Sequence, residues 1–333
     1  MLAWEGKERA LAGGGTAPAP SLRAFAENAG KGRLVLGDNA AALEALASTH
    51  AGKVTLAYMD PPFLTNRTFD AIERRDDVPR SGPLKARPRK AAFDDRWESR
   101  AAYLGSIGRR LVLIRELLAP HGSVVIHVDP KTSHYIKVLA DEIFGEDAFA
   151  SEIVWRYRRW PSKTPNFQRV HDVLLRYRKD PKEKPRFNQP YEPLAASTLA
   201  TWGTTKQRAV FEKDGRRARS SSTEEPTKGV PMGDVWEIGV IAPISRERTG
   251  YPSQKPEALL ERLVTALSDP GEIVLDPYMG SGTTLAVAAR LGRPFLGVDQ
   301  SDVAFDVARR RLEERGMSFV EETAPAHLAR RTA

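Results

Sequence analysis

The sequence predicts an α/β fold built on a parallel sheet, and three observations carry that prediction. Near the start, residues 33–36, 39–48 and 54–59 read as strand, helix and strand. Near the end, residues 272–276 and 294–298 are apolar strands flanking a glycine-rich turn and a helix. That rhythm builds parallel sheets. The middle third does not share it, and reads as an inserted region.

The elements follow in order. Residues 1–31 hold Gly13-Gly14-Gly15 and an Ala/Pro stretch, and read as a flexible leader. Residues 32–150 form a first α/β half. Within it, 64–97 lacks a sustained period and reads as a long mobile loop, a length that often signals function. A helix over 98–118 follows, stopped by Pro120 and Gly122, then a buried strand over 123–128 and a helix over 132–144. Residues 151–157 and 170–177 are strand-like, and 188–252 are irregular, so 151–252 form the insert. Residues 253–320 are a second α/β half, in which Pro256 opens a helix at a position that needs no internal N–H bond. Residues 321–333 read as a loose tail.

Composition narrows the chemistry. Apolar residues make up 41% of the 333 and charged residues 28%, which supports a packed core. Cysteine is absent, which excludes thiol nucleophiles, disulfides and Cys-ligated metal. No apolar run reaches 18 residues and no signal core opens the chain, so a cytoplasmic location without membrane contact is the expectation. The net charge of +8 is concentrated: residues 155–186 hold eleven Lys or Arg against three Asp or Glu. Such a patch suits a polyanion, although a solvated basic surface would look the same.

Two motifs carry chemistry. Asp276-Pro277-Tyr278-Met279-Gly280-Ser281-Gly282-Thr283-Thr284 joins a strand to a helix, where glycines admit a ligand to the main chain and free helix N–H groups face it. It is neither a P-loop nor a full dinucleotide turn. Asp299 ends the next strand, 17 residues beyond Gly282, where an acid accepts hydrogen bonds from ribose hydroxyls. An adenosine-containing cofactor is expected. Asp60-Pro61-Pro62-Phe63 ends the strand over 54–59. Its carboxylate and proline carbonyls could hold an exocyclic amine while Phe63 stacks on the ring. Alone, such a turn is as readily a strand stop.

Together, in this order, the motifs resemble the amino-directed DNA methyltransferases, and more closely their beta-type arrangement, over about residues 34–314. Gly37-Asp38-Asn39, residues 141–145, Val154-Trp155, residues 171–177 and Tyr251-Pro252-Ser253-Gln254-Lys255-Pro256 add to the match. The resemblance implies a Rossmann-like S-adenosylmethionine-dependent fold with circularly permuted motif order and an inserted DNA-recognition region. It implies methyl transfer from S-adenosylmethionine to a flipped base in duplex DNA. Asp276, Pro277, Tyr278, Gly280, Ser281, Gly282 and Thr283 match the cofactor turn and Asp299 the ribose acid. Tyr278 stands where the family commonly has Phe. Asp38 resembles the acid near the adenine amine, and Lys255 and Pro256 the segment near the methionine end. Asp60 favours adenine N6 over cytosine N4, whose members more often carry Ser there. An RNA methyltransferase and a nonenzymatic DNA-binding protein are weaker alternatives.

Arg156, Arg158, Arg159, Lys163, Arg169 and His171 are candidate DNA contacts. Trp155 and Trp160 read more readily as core. His127, Asp129 and His134 lack metal-ligand spacing, and no metal is expected. Beta-type members often self-associate, so a homodimer and a separate cognate restriction endonuclease stand as open partners that no residue here derives.

Overall fold

The computed structural model describes residues 2–12, 32–72, 89–161, 163, 165–204, 209–211, 213–219 and 226–324. In chain order the first elements are α1 (Lys7–Ala12), β1 (Gly32–Leu36), α2 (Asn39–His50), β2 (Val54–Met59), β3 (Thr68–Ile72), β4 (Arg89–Asp94), α3 (Arg100–Leu117), β5 (Leu118–Val128), α4 (Ser133–Phe144), β6 (Phe149–Arg156) and β7 (His171–Arg178). Short pieces follow: β8 (Tyr191–Glu192), α5 (Ala196–Trp202), β9 (Ala209–Phe211), β10 (Arg217–Arg219), β11 (Val230–Pro231) and β12 (Val235–Glu237). The chain closes with α6 (Glu257–Leu267), β13 (Ile273–Asp276), α7 (Thr283–Arg290), β14 (Phe295–Asp299), α8 (Asp302–Glu313) and β15 (Phe319–Thr323).

The main sheet runs β12-β6-β7-β5-β2-β13-β14-β1-β15. Only β7 is antiparallel to its neighbours, pairing with β5 and β6. Its central strands read as unbroken apolar runs because helices cover both faces. All six residues of β2 are buried, for example. From the β2–β13 seam the chain progresses outward both ways, through β5 on one side and β14 on the other. Ligands of open α/β sheets bind outside the strand ends at such a switch point.

Local chemistry fixes the helix starts. Asp38 caps α2 by accepting from the N–H groups of Ala40 and Ala41 at 3.0 and 3.1 Å. Ser99 caps α3 and Ser301 caps α8 in the same way. Leucines of α2, α3 and α4 then pack under β2 and β5 in one core. Removing one such buried leucine to alanine costs about 2–5 kcal/mol.

Four expectations about organisation are revised. The leader is partly ordered: α1 lies along α3, with Leu2, Trp4 and Leu11 packed on the core, while 13–31 lie outside the described residues. The loop over 64–97 contains the antiparallel pair β3–β4, with 73–88 outside the described residues. The segment 151–252 is not all insert, since β6, β7 and β12 complete the main sheet. Only 188–233 form a second compact unit, in which β8 pairs with β11 and β9 with β10. Finally, the expected tail begins inside β15, which pairs with β1 and buries Ala324 just beyond it. Residues 325–333 lie outside the described residues.

Candidate active site

Asp60 and Asp276 follow or end adjacent parallel strands, so the two sequence motifs meet at the switch point. They line one cavity of about 560 Å³. Of the residues singled out from the sequence, Asp60, Pro61, Pro62, Phe63, Lys255, Asp276, Pro277, Tyr278, Gly280, Ser281, Thr283 and Asp299 line it. Asp38, Pro256 and Gly282 do not. Asp38 is engaged behind the wall: one oxygen caps α2 and the other accepts from Arg110 at 3.0 Å. Arg110 also holds the Asn39 carbonyl at 2.6 Å, and Asn39 donates to Pro277 O at 2.9 Å. Pro256 is spent on starting α6.

The two glycines of the turn have different work. Gly280 has φ +47°, and a Cβ there would lie 3.0 Å from the Tyr251 ring, which also faces the cavity. Gly282 has φ +69°, and its Cβ would meet Ala308 of α8 at 2.8 Å. It therefore lets α7 pack against α8. Buried Arg311 of α8 locks this corner, donating to Thr283 Oγ1 at 2.7 Å, to Ser281 O at 3.3 Å and to Glu257 at 2.6 Å.

Asp299 receives one backbone N–H on each oxygen, from Gly280 at 3.0 Å and Ser301 at 2.9 Å. A carboxylate offers about four lone pairs, so acceptor capacity remains for the hydroxyls of a ribose. Burial pushes this carboxyl up to about 6 despite those bonds. Asp276 is pushed up to about 7, by burial first and then by the charges of Asp60 and Asp299. The open lone pairs of Asp299 and the approach to the main chain at Gly280 fit an adenosine cofactor.

On the other side, Lys255 donates to Asp60 Oδ2 and to Ser253 O, and its ammonium stands 5.4 Å from the Phe63 ring centre. The chain just past Phe63 is fixed by buried Asp95. It accepts from Leu64 N–H (3.0 Å), Thr65 N–H (2.7 Å), Thr65 Oγ1 (2.6 Å) and Trp97 Nε1 (3.0 Å). The β3–β4 pair adds an aromatic wall: Phe69 stacks on Phe93 at 4.7 Å, and Phe93 on Tyr251 at 6.3 Å.

Beneath Asp60 lies a network that the sequence did not disclose. His127 is fully buried at the end of β5. Burial, then the charges of Asp60, Asp276 and Asp172, push the Tyr58 hydroxyl far up, so it stays protonated. It shares a hydrogen bond with His127 Nδ1 at 2.7 Å. His127 Nε2 faces Asp172 Oδ2 at 3.5 Å. Asp60 Oδ1 lies 3.9 Å from Nδ1, and Phe63 packs on the imidazole at 5.8 Å. Burial pushes Asp172 up, but His127, Lys255 and the Tyr157 hydroxyl outweigh it and hold this carboxyl below its usual range. Tyr58 had a signal: two positions before Asp60 on a strand, it shares that residue's face.

The candidate DNA residues gather around the end of β6 and the start of β7. Arg158 and Lys163 are exposed. Arg156 is ion-paired with Glu237, Arg159 lies over the Tyr157 ring at 5.2 Å, and Arg169 is paired with Asp129. His171 sits opposite Arg156 in the β6–β7 register. Trp155 is core, as expected, and donates to Ile238 O at 2.8 Å. Trp160, expected in the core, is 90% exposed because it sits in the β6–β7 connection rather than on a strand.

Strand order, switch point and glycine turn define a Rossmann-like S-adenosylmethionine-dependent methyltransferase fold. The family model for N6/N4 methyltransferases, described as DNA methylase, matches residues 54–310. The chain belongs to that family. It is 27% identical over 324 residues to the type II methyltransferase M.EcaI of Enterobacter cloacae, covering 82% of this chain and 68% of that protein. Against M.HpaI of Haemophilus parainfluenzae it is 30% identical over 207 residues, covering 61% and 57%. Against the DNA adenine methyltransferase YhdJ of Escherichia coli it is 42% identical over 92 residues, covering 28% and 31%. The chain thus spans between about a third and two thirds of these relatives' lengths. The crystal structure of an M1.HpyAVI–SAM complex shares the fold with TM-score 0.52 and 20% identity, covering 84% of this chain and 98% of that one. The cytosine-N4-specific PvuII DNA methyltransferase shares it at 0.53 and 16%, covering 89% of each chain. Among the described residues no helix is long and apolar enough to cross a membrane.

Proposed function

We propose that the chain methylates the N6 amine of adenine in duplex DNA, with S-adenosylmethionine as donor. The observation that carries this reading is the convergence of Asp60–Phe63 and the 276–283 turn on one cavity. Bound S-adenosylmethionine would supply an electrophilic methyl group on a sulfonium sulfur. Asp299 and the main chain at Gly280 would hold its adenosine part. Ser281, Thr283 and Lys255 also line the cavity, and Lys255 reaches Asp60.

The target base must leave the helical stack to reach this cavity, at a cost of a few kcal/mol. Phe63 offers the extruded ring an apolar face. Asp60 accepts one amine hydrogen and a proline carbonyl the other, which turns the nitrogen lone pair toward the donor and favours the more tetrahedral nitrogen of the transition state. A carboxylate is too weak a base to deprotonate an aromatic amine beforehand, so the proton would leave nitrogen, toward Asp60 or water, as the N–C bond forms at the expense of the donor's S–C bond. Lys255 must yield Asp60 to the amine, or share it through the second oxygen.

Adenine is favoured over cytosine by the family resemblance at Asp60, where cytosine-N4 members more often carry Ser, and the Escherichia coli relative, 42% identical over 92 residues, is named an adenine methyltransferase. The basic surface around Arg158 and Lys163 offsets phosphate repulsion. The test is methylation of genomic duplex with labelled donor, digestion to nucleosides and mass spectrometry. N6-methyladenine is expected. N4-methylcytosine alone would move the target to cytosine, and label in RNA alone would overturn the substrate class.

A further inference from the structure

We propose that Trp160 and Phe167 form a base-stacking surface that occupies the opening left in duplex DNA when the target base is extruded. The inference rests on the DNA reading above and adds the residues that would hold the helix open.

Both side chains lie in the connection from β6 to β7 and are almost wholly exposed, 90% and 104%. Their loop is tied at its base and across its width: Tyr157 N–H donates to Val170 O, and Gln168 Nε2 to Trp160 O, each at 2.8 Å. The two rings border a groove of about 980 Å³ that Arg158, Arg159, Arg169 and Lys131 also line.

Placement in the sheet puts this groove beside the target site. Strand β2 is parallel to β5, and β6 and β5 are both antiparallel to β7. The ends of β2, β5 and β6 therefore share one edge of the sheet, with Asp60 just past the first and the Trp160 loop past the last. A run of contacts joins them, from Asp60 to His127, to Asp172, to the Tyr157 hydroxyl and to Arg159.

The chemistry selects the occupant. Large aromatic faces left in water gain by burial, each ring covering about 150–250 Å². The exposed cations Arg158 and Arg159 beside them favour an anionic partner. Nucleic acid supplies both, flat apolar base faces on a phosphate backbone. A second copy of this chain would oppose like charges, since the net charge is +8 and residues 155–186 carry an excess of eight. Aromatic wedges that unstack a step are a general way to hold a duplex deformed.

The experiment uses the full chain with Trp160→Ala, Phe167→Ala and both together, on the duplex site found by sequencing methylated DNA. One duplex is fully paired. The other carries an abasic site opposite the target, so that it is already open. The double variant should slow single-turnover transfer to the paired duplex at least tenfold and stay within threefold of the unsubstituted protein on the open one. Its affinity for S-adenosylhomocysteine should be unchanged. Equal rates on the paired duplex would overturn the proposal, as would an equal loss on both. A dimer that becomes a monomer in sedimentation, with activity following mass, would make the patch a subunit interface instead. Should the unsubstituted protein transfer no methyl group to DNA, the parent reading fails. Affinity for paired against open duplex, measured without donor, then still decides this one.

Discussion

Lys255 joins the two halves of the site through Asp60: its ammonium pairs with that carboxylate, while its own carbonyl accepts from Thr283 Oγ1 at 3.2 Å. The side chain thus reaches the target motif and the backbone is tied to the cofactor turn. Both partners are largely shielded, at 10% and 17% side-chain exposure. Breaking one partner leaves the other charge poorly solvated.

Lys255→Met and Asp60→Asn should therefore each lower stability, and the double variant should cost less than their sum by about 0.5–3 kcal/mol. Denaturant melts of the four proteins give the coupling directly. Additive losses would mean that the pair contributes nothing in solution. In the same series Asp60→Asn should lower single-turnover transfer by about 10²–10³ and leave S-adenosylhomocysteine affinity within threefold. A large loss of affinity with normal transfer would reverse the roles assigned to the two motifs.

Asp172 tests the buried network. It faces His127 Nε2 at 3.5 Å and takes the Tyr157 hydroxyl at 3.1 Å. Asp172→Asn keeps its shape but removes the charge that faces the imidazole. The expected loss is about 10–100-fold in the rate of transfer, the size seen when the outer carboxylate behind a metal-bound histidine is removed. Cofactor affinity and melting temperature should change little. A proportional fall in melting temperature with no change in rate would make the network structural only.

The reading from sequence succeeded where one local signal fixes structure. The apolar runs of β2 and β14 each stop at an acid, and Asp60 and Asp299 could be placed at strand ends on that ground alone. It failed where long-range pairing decides. Strands β3 and β4 are five and six residues long, show no sustained charged–apolar alternation and are mostly exposed, so only their pairing with each other makes them strands. His127 and Asp172 were both visible as residues. They meet because β5 and β7 pair antiparallel in one register, which no spacing reveals. Gly282 was legible as a turn glycine, but its neighbour Ala308 comes from α8 across the fold.

That neighbour separates the two glycines experimentally. Gly282→Ala places a Cβ 2.8 Å from Ala308 at a positive φ, which should cost about 1–3 kcal/mol of stability. Below its melting point the variant should bind S-adenosylhomocysteine nearly normally. Gly280→Ala instead pushes against Tyr251 at the cavity wall, and should weaken that binding with a smaller stability loss. Calorimetric titration paired with thermal melts distinguishes them, and a reversed pattern would exchange the two roles.

Burial holds Asp299 at about 6 and Asp276 at about 7 in the folded, ligand-free protein, against an ordinary value near 3.9. For a carboxyl raised on folding, the native state binds more protons than the unfolded state between those values. Its contribution to stability is thus fully present below about pH 4 and is lost as pH rises through 6 to 7. Between pH 5 and pH 8 these two groups should lower the melting temperature of the ligand-free protein. Ligand binding should run the other way. Ribose hydroxyls donating to Asp299 favour its ionised form, so affinity for S-adenosylhomocysteine should rise with pH through about 6. Well below that value, affinity should weaken by up to about tenfold per pH unit. Titration calorimetry from pH 5 to pH 8 measures this, and Asp299→Asn should remove the part of the slope centred near 6. An affinity independent of pH in the unsubstituted protein would mean that Asp299 does not receive the ribose.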